Sequence, residues 1–416
     1  MIDDQPLIDV ITQHIHKARP YFEYAATYRR DFSVQERAKW LAGLPSREYV
    51  ETPLPSIQAA MQDHPIFRQD TYRCFGAKQL MLRPIYQASK LLRMACTHTP
   101  TEAVAWMRKV YATTEANVRY IVEVHGLKLD HDRTLSNGVR LVSLEELPPS
   151  EQKEALIDHC SPVYIFPVLT IPSSAPIFPP IGAIYEVYGI PESATHEQCQ
   201  RDSEQHSTEL ECAVRAFALA GDASPVIGFS WAEFMDPELA AAEVGHTGKL
   251  SANECNLNAV APYEVNDEMV SWVERYLHLP TDVRKICDVA IERLTLARRR
   301  RHPGNQAIEG AICLEALLGN KTSQELTYRL RLRAALLLAT TLDERREISN
   351  AVRDFYRLRS ETVHGISVTI DRETLDRARR GLEICAEALR VIVLMGKKYV
   401  PQDWELAGGQ PNYLAD

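Results

Sequence analysis

Arg359 and His364 close the stretch YRLRSETVHG, residues 356–365. An arginine and a histidine can together cleave a phosphodiester without a metal. Imidazole titrates near neutral pH and can take or give a proton. A guanidinium offers a permanent, forked charge to phosphoryl oxygens as charge builds in the transition state. RNA carries its own nucleophile, the 2′-hydroxyl, so this chemistry would leave a 2′,3′-cyclic phosphate and a 5′-hydroxyl and would spare DNA. The spacing alone carries no weight: Arg93 and His98, and Arg201 and His206, repeat it in the same chain. The surroundings have to decide.

Those surroundings read as a helix. Asp343 is the expected cap of a run through residue 363 that Gly365 ends. Steps of three and four along it give Ile348, Val352, Phe355, Arg359 and Val363, an apolar stripe broken only by Arg359. Burying a guanidinium without a partner costs on the order of several kcal/mol. Arg359 therefore calls for a carboxylate, a second subunit or a phosphate. His364 lies about 140° further round an ideal helix. The two side chains converge only if the helix ends or distorts there, or if a second chain completes the site. Two readings stay open: Arg359 salt-bridged to a core carboxylate such as Glu315 with His364 as a C-terminal cap, or Arg359 and His364 as a reactive pair.

The elements that would position this stretch are helical on both sides. Residues 267–277 form a short helix stopped by Pro280. Thr281 caps one running to about residue 300, with four arginines, 298–301, near its C-terminus. HPGN breaks the chain, and a helix from about 306 to 318 stops at Gly319 and Asn320. Thr322 or Ser323 caps the next, with core LTYRLRLRAALLLA. After the Arg359 helix, Asp371 caps a last one reaching about residue 399. From 281 onward this makes five helices with short connections.

The first 118 residues also read as helical, over 7–28, 34–44 (Ser33 as cap, Glu36 three residues on), 77–96, and 101–118 with Thr99 or Thr101 near its cap. TPLPS and DHPIF are loops between them. Residues 120–129 alternate and are β-branched, which predicts a strand. A turn at Asn137 and Gly138, a short strand and a Pro-Pro stop follow. Residues 162–190 read as short strands and extended loops, 201–220 as helix, 225–231 as strand and 237–262 as a polar, flexible loop. The expected class is α+β: a mixed N-terminal region over 1–265 (helical to 118, mixed over 119–265), an all-α bundle over 266–400, and an irregular extension over 401–416.

Composition is that of a soluble globular protein, 45% hydrophobic and 25% charged. No apolar run is long enough for a membrane helix, and MIDDQPLIDVITQHIHK lacks the basic start of a signal peptide. A cytoplasmic protein without membrane contact is expected. The nine cysteines contain no Cys-x-x-Cys pair, so reduced, mostly buried thiols are expected. Cys199, His206 and Cys212 have no zinc spacing, and neither metal nor cofactor is anticipated. Residues 281–400 hold 23 Lys and Arg against 16 Asp and Glu, a balance of +7, leaving −16 for the rest of a chain of net charge −9. A basic part on an acidic body suits a polyanion held by one end, or simply solvated helix faces.

Three blocks, ICLEALLG at 312–319, RLRAALLL at 331–338 and YRLRSETVHG at 356–365, resemble in order and separation the Apea-like branch of the HEPN superfamily (higher eukaryotes and prokaryotes nucleotide-binding). The resemblance covers roughly 120 of the 416 residues. It implies a HEPN helical bundle and metal-independent RNA cleavage by an Arg-x4–6-His motif, matched by Arg359 and His364. The enzyme implied is a homodimer whose two motifs face one cleft, acting on RNA such as tRNA in microbial anti-phage or toxin-like defence. The N-terminal region would then sense a protein or phage-derived trigger. Some members of this superfamily bind RNA or protein without cutting. Glu315 could orient or neutralise Arg359, or be a surface acid. Arg333 could hold phosphate or tie helices together; Tyr356 could pack; Ser360 stands where many relatives have Asn, Asp or His and could donate to phosphate. The arginines at 298–301 could track an RNA backbone or end a helix in solvent.

Overall fold

The fold is that of a computed structural model, which describes residues 2–28, 34–150, 153, 180–244, 248–250, 262–319 and 325–397. The chain divides into two compact units: Met1–Tyr120, Glu186–His206 and Ala232–Thr247 form the first, and Ile121–Tyr185, Ser207–Trp231 and Gly248–Asp416 the second. The class is α+β, with a C-terminal helical region.

The first unit opens with α1 (Gln5–Ala25), α2 (Val34–Gly43), α3 (Glu48–Glu51) and α4 (Leu54–Asp63). On α1, Leu7, Ile11, Ile15 and Ala18 recur at helical spacing and are buried. The entry to α1 is tied down by Asp4, whose carboxylate takes Arg108 Nε at 2.8 Å and lies 2.9 Å from His64 Nε2. Burial alone would push this carboxyl up, but the bonds to Arg108 and His64 outweigh it and leave it below its ordinary value. Strands β1 (Thr71–Phe75) and β2 (Lys78–Leu82) then form an antiparallel hairpin around Gly76, at φ +54°. The sequence pattern had read residues 77–96 as one helix. Pro84 explains the difference: the residue before a proline is driven out of the helical region, so Arg83 is extended and α5 starts at Pro84 (Pro84–Thr97). Thr99 caps α6 (Pro100–Ala112) in a capping box with Glu102, so of the two candidate caps the first is used. That helix ends at Ala112, six residues before the expected 118.

The sheet begins with β3 (Glu115–His125), followed by β4 (Leu127–Lys128), β5 (Arg133–Thr134), β6 (Arg140–Ser143) and β7 (Ile181–Pro191). Next come α7 (His196–Arg215), a 3₁₀ turn (Ala216–Leu219), β8 (Val226–Phe234), α8 (Pro237–Ala242), β9 (Gly248–Leu250) and β10 (Tyr263–Glu264). Six strands pair in the order β5-β6-β7-β3-β8-β9, with Leu141 opposite Ala183 in the antiparallel β6–β7 ladder. The strand expected over 120–129 is β3 with β4, and the Asn137–Gly138 turn forms with Gly138 at φ +86°. Residues 237–262 are not the uniform loop expected: Asp236 caps α8 through Glu238 N, and β9 and β10 follow. Residues 162–179 and 251–261 lie outside the described residues.

Six helices follow in the second unit: α9 (Asp267–Leu277), α10 (Thr281–Arg299), α11 (Pro303–Leu318), α12 (Leu326–Leu338), α13 (Leu342–Val363) and α14 (Arg372–Met395). Helix α10 packs along α11, α11 against α13 and α14, and α12 against α13. Several ends move from their expected places, each for a local reason. Pro280, not Thr281, occupies the N-cap of α10. Proline suits a first turn, so α11 starts at Pro303, with His302 Nδ1 accepting from Gly304 N. Thr341 caps α13 instead of Asp343, because Thr341 and Glu344 satisfy each other's orphan groups in a capping box. Asp371 caps α14 as expected, but Gly396 at φ +59° stops it at Met395, short of residue 399. Thr322, Ser323 and the 401–416 extension lie outside the described residues. Among the described residues, no helix is long and apolar enough to cross a membrane.

Candidate functional site

Helix α13 carries the site, and Phe355 sets its rotation. This buried ring fits against two glycines: a Cβ at Gly310 on α11 would come within 2.6 Å of Phe355 Cζ, and one at Gly381 on α14 within 2.1 Å of Cδ2. Only glycine lets three helices approach a ring this closely. With Ile348, Val352 and Phe355 buried on this stripe, Arg359 follows one turn later at the edge of the core, half-buried. Val363, the last member of the stripe, is 53% exposed. The apolar face therefore runs out into solvent as it passes Arg359.

Arg359, Tyr356 and Glu315 line one cleft of about 730 Å³, together with Glu325, Leu326, Thr327 and Tyr328 from the start of α12. The Tyr356 hydroxyl, 3.2 Å from both Ala311 O and Glu315 Oε1, donates its proton into that pair of acceptors. Burial, reinforced by Glu315, pushes the Tyr356 phenol far above its ordinary value, so it stays a neutral donor. Glu315 is thus engaged by Tyr356 and forms no salt bridge with Arg359. Among the described residues Arg359 has neither an ion pair nor a hydrogen bond. The salt-bridged alternative for Arg359 is not what forms; a half-buried cation faces an open cleft instead.

His364 occupies the C-cap of α13, as its alternative reading required. The end is a Schellman turn: Gly365, at φ +72°, donates to Thr362 O at 3.2 Å, and Ile366 N to Glu361 O at 2.9 Å. His364 N donates to Ser360 O at 3.0 Å, while its side chain is exposed and does not line the Arg359 cleft. The chain therefore does not bring Arg359 and His364 into one cleft. Ser360 is half-buried beside Arg359 in sequence but is not part of the lining. Val363 and Ile366, next to His364 along the chain, are exposed apolar side chains, 53% and 58%, and Ile370 further on is 59% exposed.

Two other sequence candidates fall away from any ligand. Arg333 is fully buried and donates to Leu318 O at 2.7 Å, tying α12 to the end of α11; it cannot reach an RNA phosphate. In the arginine run, Arg298 donates to the carbonyls of Ala218, Gly221 and Ala223, at 2.7–2.8 Å. Arg299 bonds Pro225 O, and Arg300 pairs with Glu309 at 3.0 Å, leaving Arg301 exposed. The run is a clamp on the turn after α7, not a track for a polyanion. Of the chance pairs, Arg93 and His98 also straddle a helix end, and Arg201 and His206 lie within α7; none of the four lines the Arg359 cleft.

Sequence reasoning missed Glu325, Thr327 and Tyr328. Tyr328 had a signal, an aromatic off the apolar face of LTYRLRLRAALLLA. Glu325 had none, since its place depends on a left-handed backbone, φ +56° and ψ +32°, just before α12. No protein-family model, no curated protein and no solved structure matches the chain.

Proposed function

We propose that this protein is a HEPN-type, metal-independent endoribonuclease, with Arg359 binding the scissile phosphate and His364 moving the proton. One observation carries the reading: Arg359 is half-buried, without an ion pair among the described residues, and faces a cleft large enough for a nucleotide. A desolvated guanidinium with open space before it is the form a phosphate site takes. The 2′-oxygen attacks phosphorus as the His364 imidazole takes its proton; the P–O5′ bond breaks as the resulting imidazolium gives that proton to the leaving O5′, giving a 2′,3′-cyclic phosphate and a 5′-hydroxyl and restoring neutral imidazole. Arg359 stabilises the charge that gathers on the phosphoryl oxygens, while Tyr356 donates its hydroxyl proton to Glu315.

Because His364 stands outside the Arg359 cleft, the working enzyme is a homodimer in which the partner's helix end completes each site. The exposed Val363 and Ile366, flanking His364 along the chain, give that contact apolar area, and Ile370 on the segment that follows is exposed as well. Cytoplasmic action on RNA, tRNA included, in anti-phage or toxin-like defence is the setting the family resemblance suggests, with a trigger acting on the N-terminal region. The test is incubation with tRNA and total RNA in EDTA. Wild type should cut to 2′,3′-cyclic ends, and Arg359→Ala and His364→Ala should not; equal cutting by all three would overturn the assignment. The second reading, a non-catalytic RNA-binding module, is favoured by the separation of the two residues in one chain. It requires Arg359-dependent RNA binding with no cleavage under any condition.

A further inference from the structure

The cleft holds more than a phosphate site needs. Besides Arg359, the start of α12 lines it with the N-cap Glu325 and with Thr327 and Tyr328 of the first turn. Tyr328 is 60% exposed, a large ring kept in water beside a cleft. Such a ring is the stacking face proteins use for unpaired bases. Glu325 is exposed, and among the described residues its carboxylate has no hydrogen bond or ion pair; only its backbone carbonyl is engaged, accepting from Arg329 N at 3.1 Å. A carboxylate at the mouth of a phosphate cleft repels the ligand by like charge unless it meets a donor. An ionised carboxylate is acceptor-only, with two oxygens side by side. Guanine alone among the RNA bases offers two parallel donors, N1–H and N2–H, on its Watson–Crick edge. Adenine and cytosine present one amino group beside an acceptor, and uracil a single N3–H between two acceptors.

We infer that this cleft reads guanine: Tyr328 stacks on the base, Glu325 accepts from N1–H and N2–H, and Arg359 holds the attached phosphate. The inference rests on the proposal that the Arg359 cleft is the RNA site, and it names the base that site selects. Glu325 is the single non-glycine residue at positive φ among the described residues, the left-handed N-cap from which α12 starts, and it lines the cleft. Glu315 is not the reader, because its Oε1 already takes the Tyr356 proton.

The experiment titrates the full-length protein with 3′-GMP, 3′-AMP, 3′-CMP and 3′-UMP by calorimetry, and in parallel maps fragment ends from RNA cleavage. Wild type should bind 3′-GMP about ten- to a hundredfold tighter than the others, the discrimination expected of a bidentate base contact. Glu325→Gln, with an unchanged unfolding midpoint, should erase that gap, and Tyr328→Ala should weaken all four ligands together. Cleavage should fall 3′ of guanosine in wild type and lose this bias in Glu325→Gln. Equal affinities, no measurable binding, or a guanine preference that survives Glu325→Gln overturns the inference. RNA cutting that depends on Arg359 but shows no guanine bias removes the base reading alone. A Glu325-dependent 3′-GMP preference without any RNA cutting removes the nuclease reading alone.

Discussion

Two arginines on neighbouring helices, one buried and one half-buried, meet different surroundings. Arg333 is fully enclosed and holds the last carbonyl of α11, whereas Arg359 faces a cleft and lacks an ion pair among the described residues. Replacing each with methionine should therefore give opposite profiles. Arg333→Met loses a charged hydrogen bond to a buried acceptor and should cost about 1.5–3 kcal/mol in urea unfolding. Arg359→Met removes a half-desolvated charge that no ion pair offsets. It should leave stability within about 0.5 kcal/mol of wild type, or raise it, while RNA cleavage falls about 10²–10³-fold. A large stability loss at Arg359 would mean that the side chain is a tie within the core. In the sequence Arg359 stood out as the break in an apolar stripe, and Arg333 only as part of a resembling block. Their roles were not legible there, because the difference lies in which carbonyl or cleft the guanidinium meets after the helices pack. Tyr356 reached only the packing role that its type suggested; its hold on Glu315 needed α11 and α13 to be placed side by side.

At the level of elements, the helices of residues 267–397 were readable because each buries one face and each break has local chemistry, such as Gly365 and Gly396 in left-handed backbone. The β1–β2 hairpin was not readable, since KQLML alternates too briefly to compete with the helical pattern that follows it, and only the Arg83–Pro84 junction marks the change. Two of the glycines inside helices, Gly310 and Gly381, were a stronger signal than their neighbours suggested. An interior helical glycine is unfavourable by about 1 kcal/mol, so its presence reports a close approach. Gly310 and Gly381 both report Phe355. Gly381→Ala would put a Cβ 2.1–2.5 Å from three ring atoms of a fully buried phenylalanine, which has no room to withdraw. The expected cost is about 1–3 kcal/mol in urea unfolding, despite alanine's better helix propensity. The same change in a Phe355→Leu background should cost less, because the smaller side chain relieves the clash. Additive effects in the double mutant would show that the ring and the glycine are not coupled, and with that the proposed control of Arg359's position by Phe355 would fail.

For the whole molecule, the separation of Arg359 and His364 makes a prediction about chains rather than residues. Each proposed site takes Arg359 from one chain and His364 from its partner, across a two-fold axis that presents the same surface from both. Differently tagged subunits allow two informative heterodimers to be purified. In the first, Arg359→Ala pairs with His364→Ala. One site then lacks both groups and the other keeps both, so the heterodimer should retain about half of wild-type cleavage although each parent homodimer is inactive. In the second, wild type pairs with the Arg359→Ala, His364→Ala double variant. Each site now lacks one group, and the heterodimer should be inactive. A site contained in one chain reverses both results: the first pair is dead and the second keeps about half. Light scattering supplies the companion measurement, since active protein should have the mass of two chains. Charge substitution at Val363 or Ile366, exposed on either side of His364 in the chain, should shift that mass toward one chain and remove cleavage together. A monomer that still cuts RNA would leave the Arg359 cleft without its histidine and return the search for a proton-transfer group to the cleft's own carboxylates, Glu315 and Glu325.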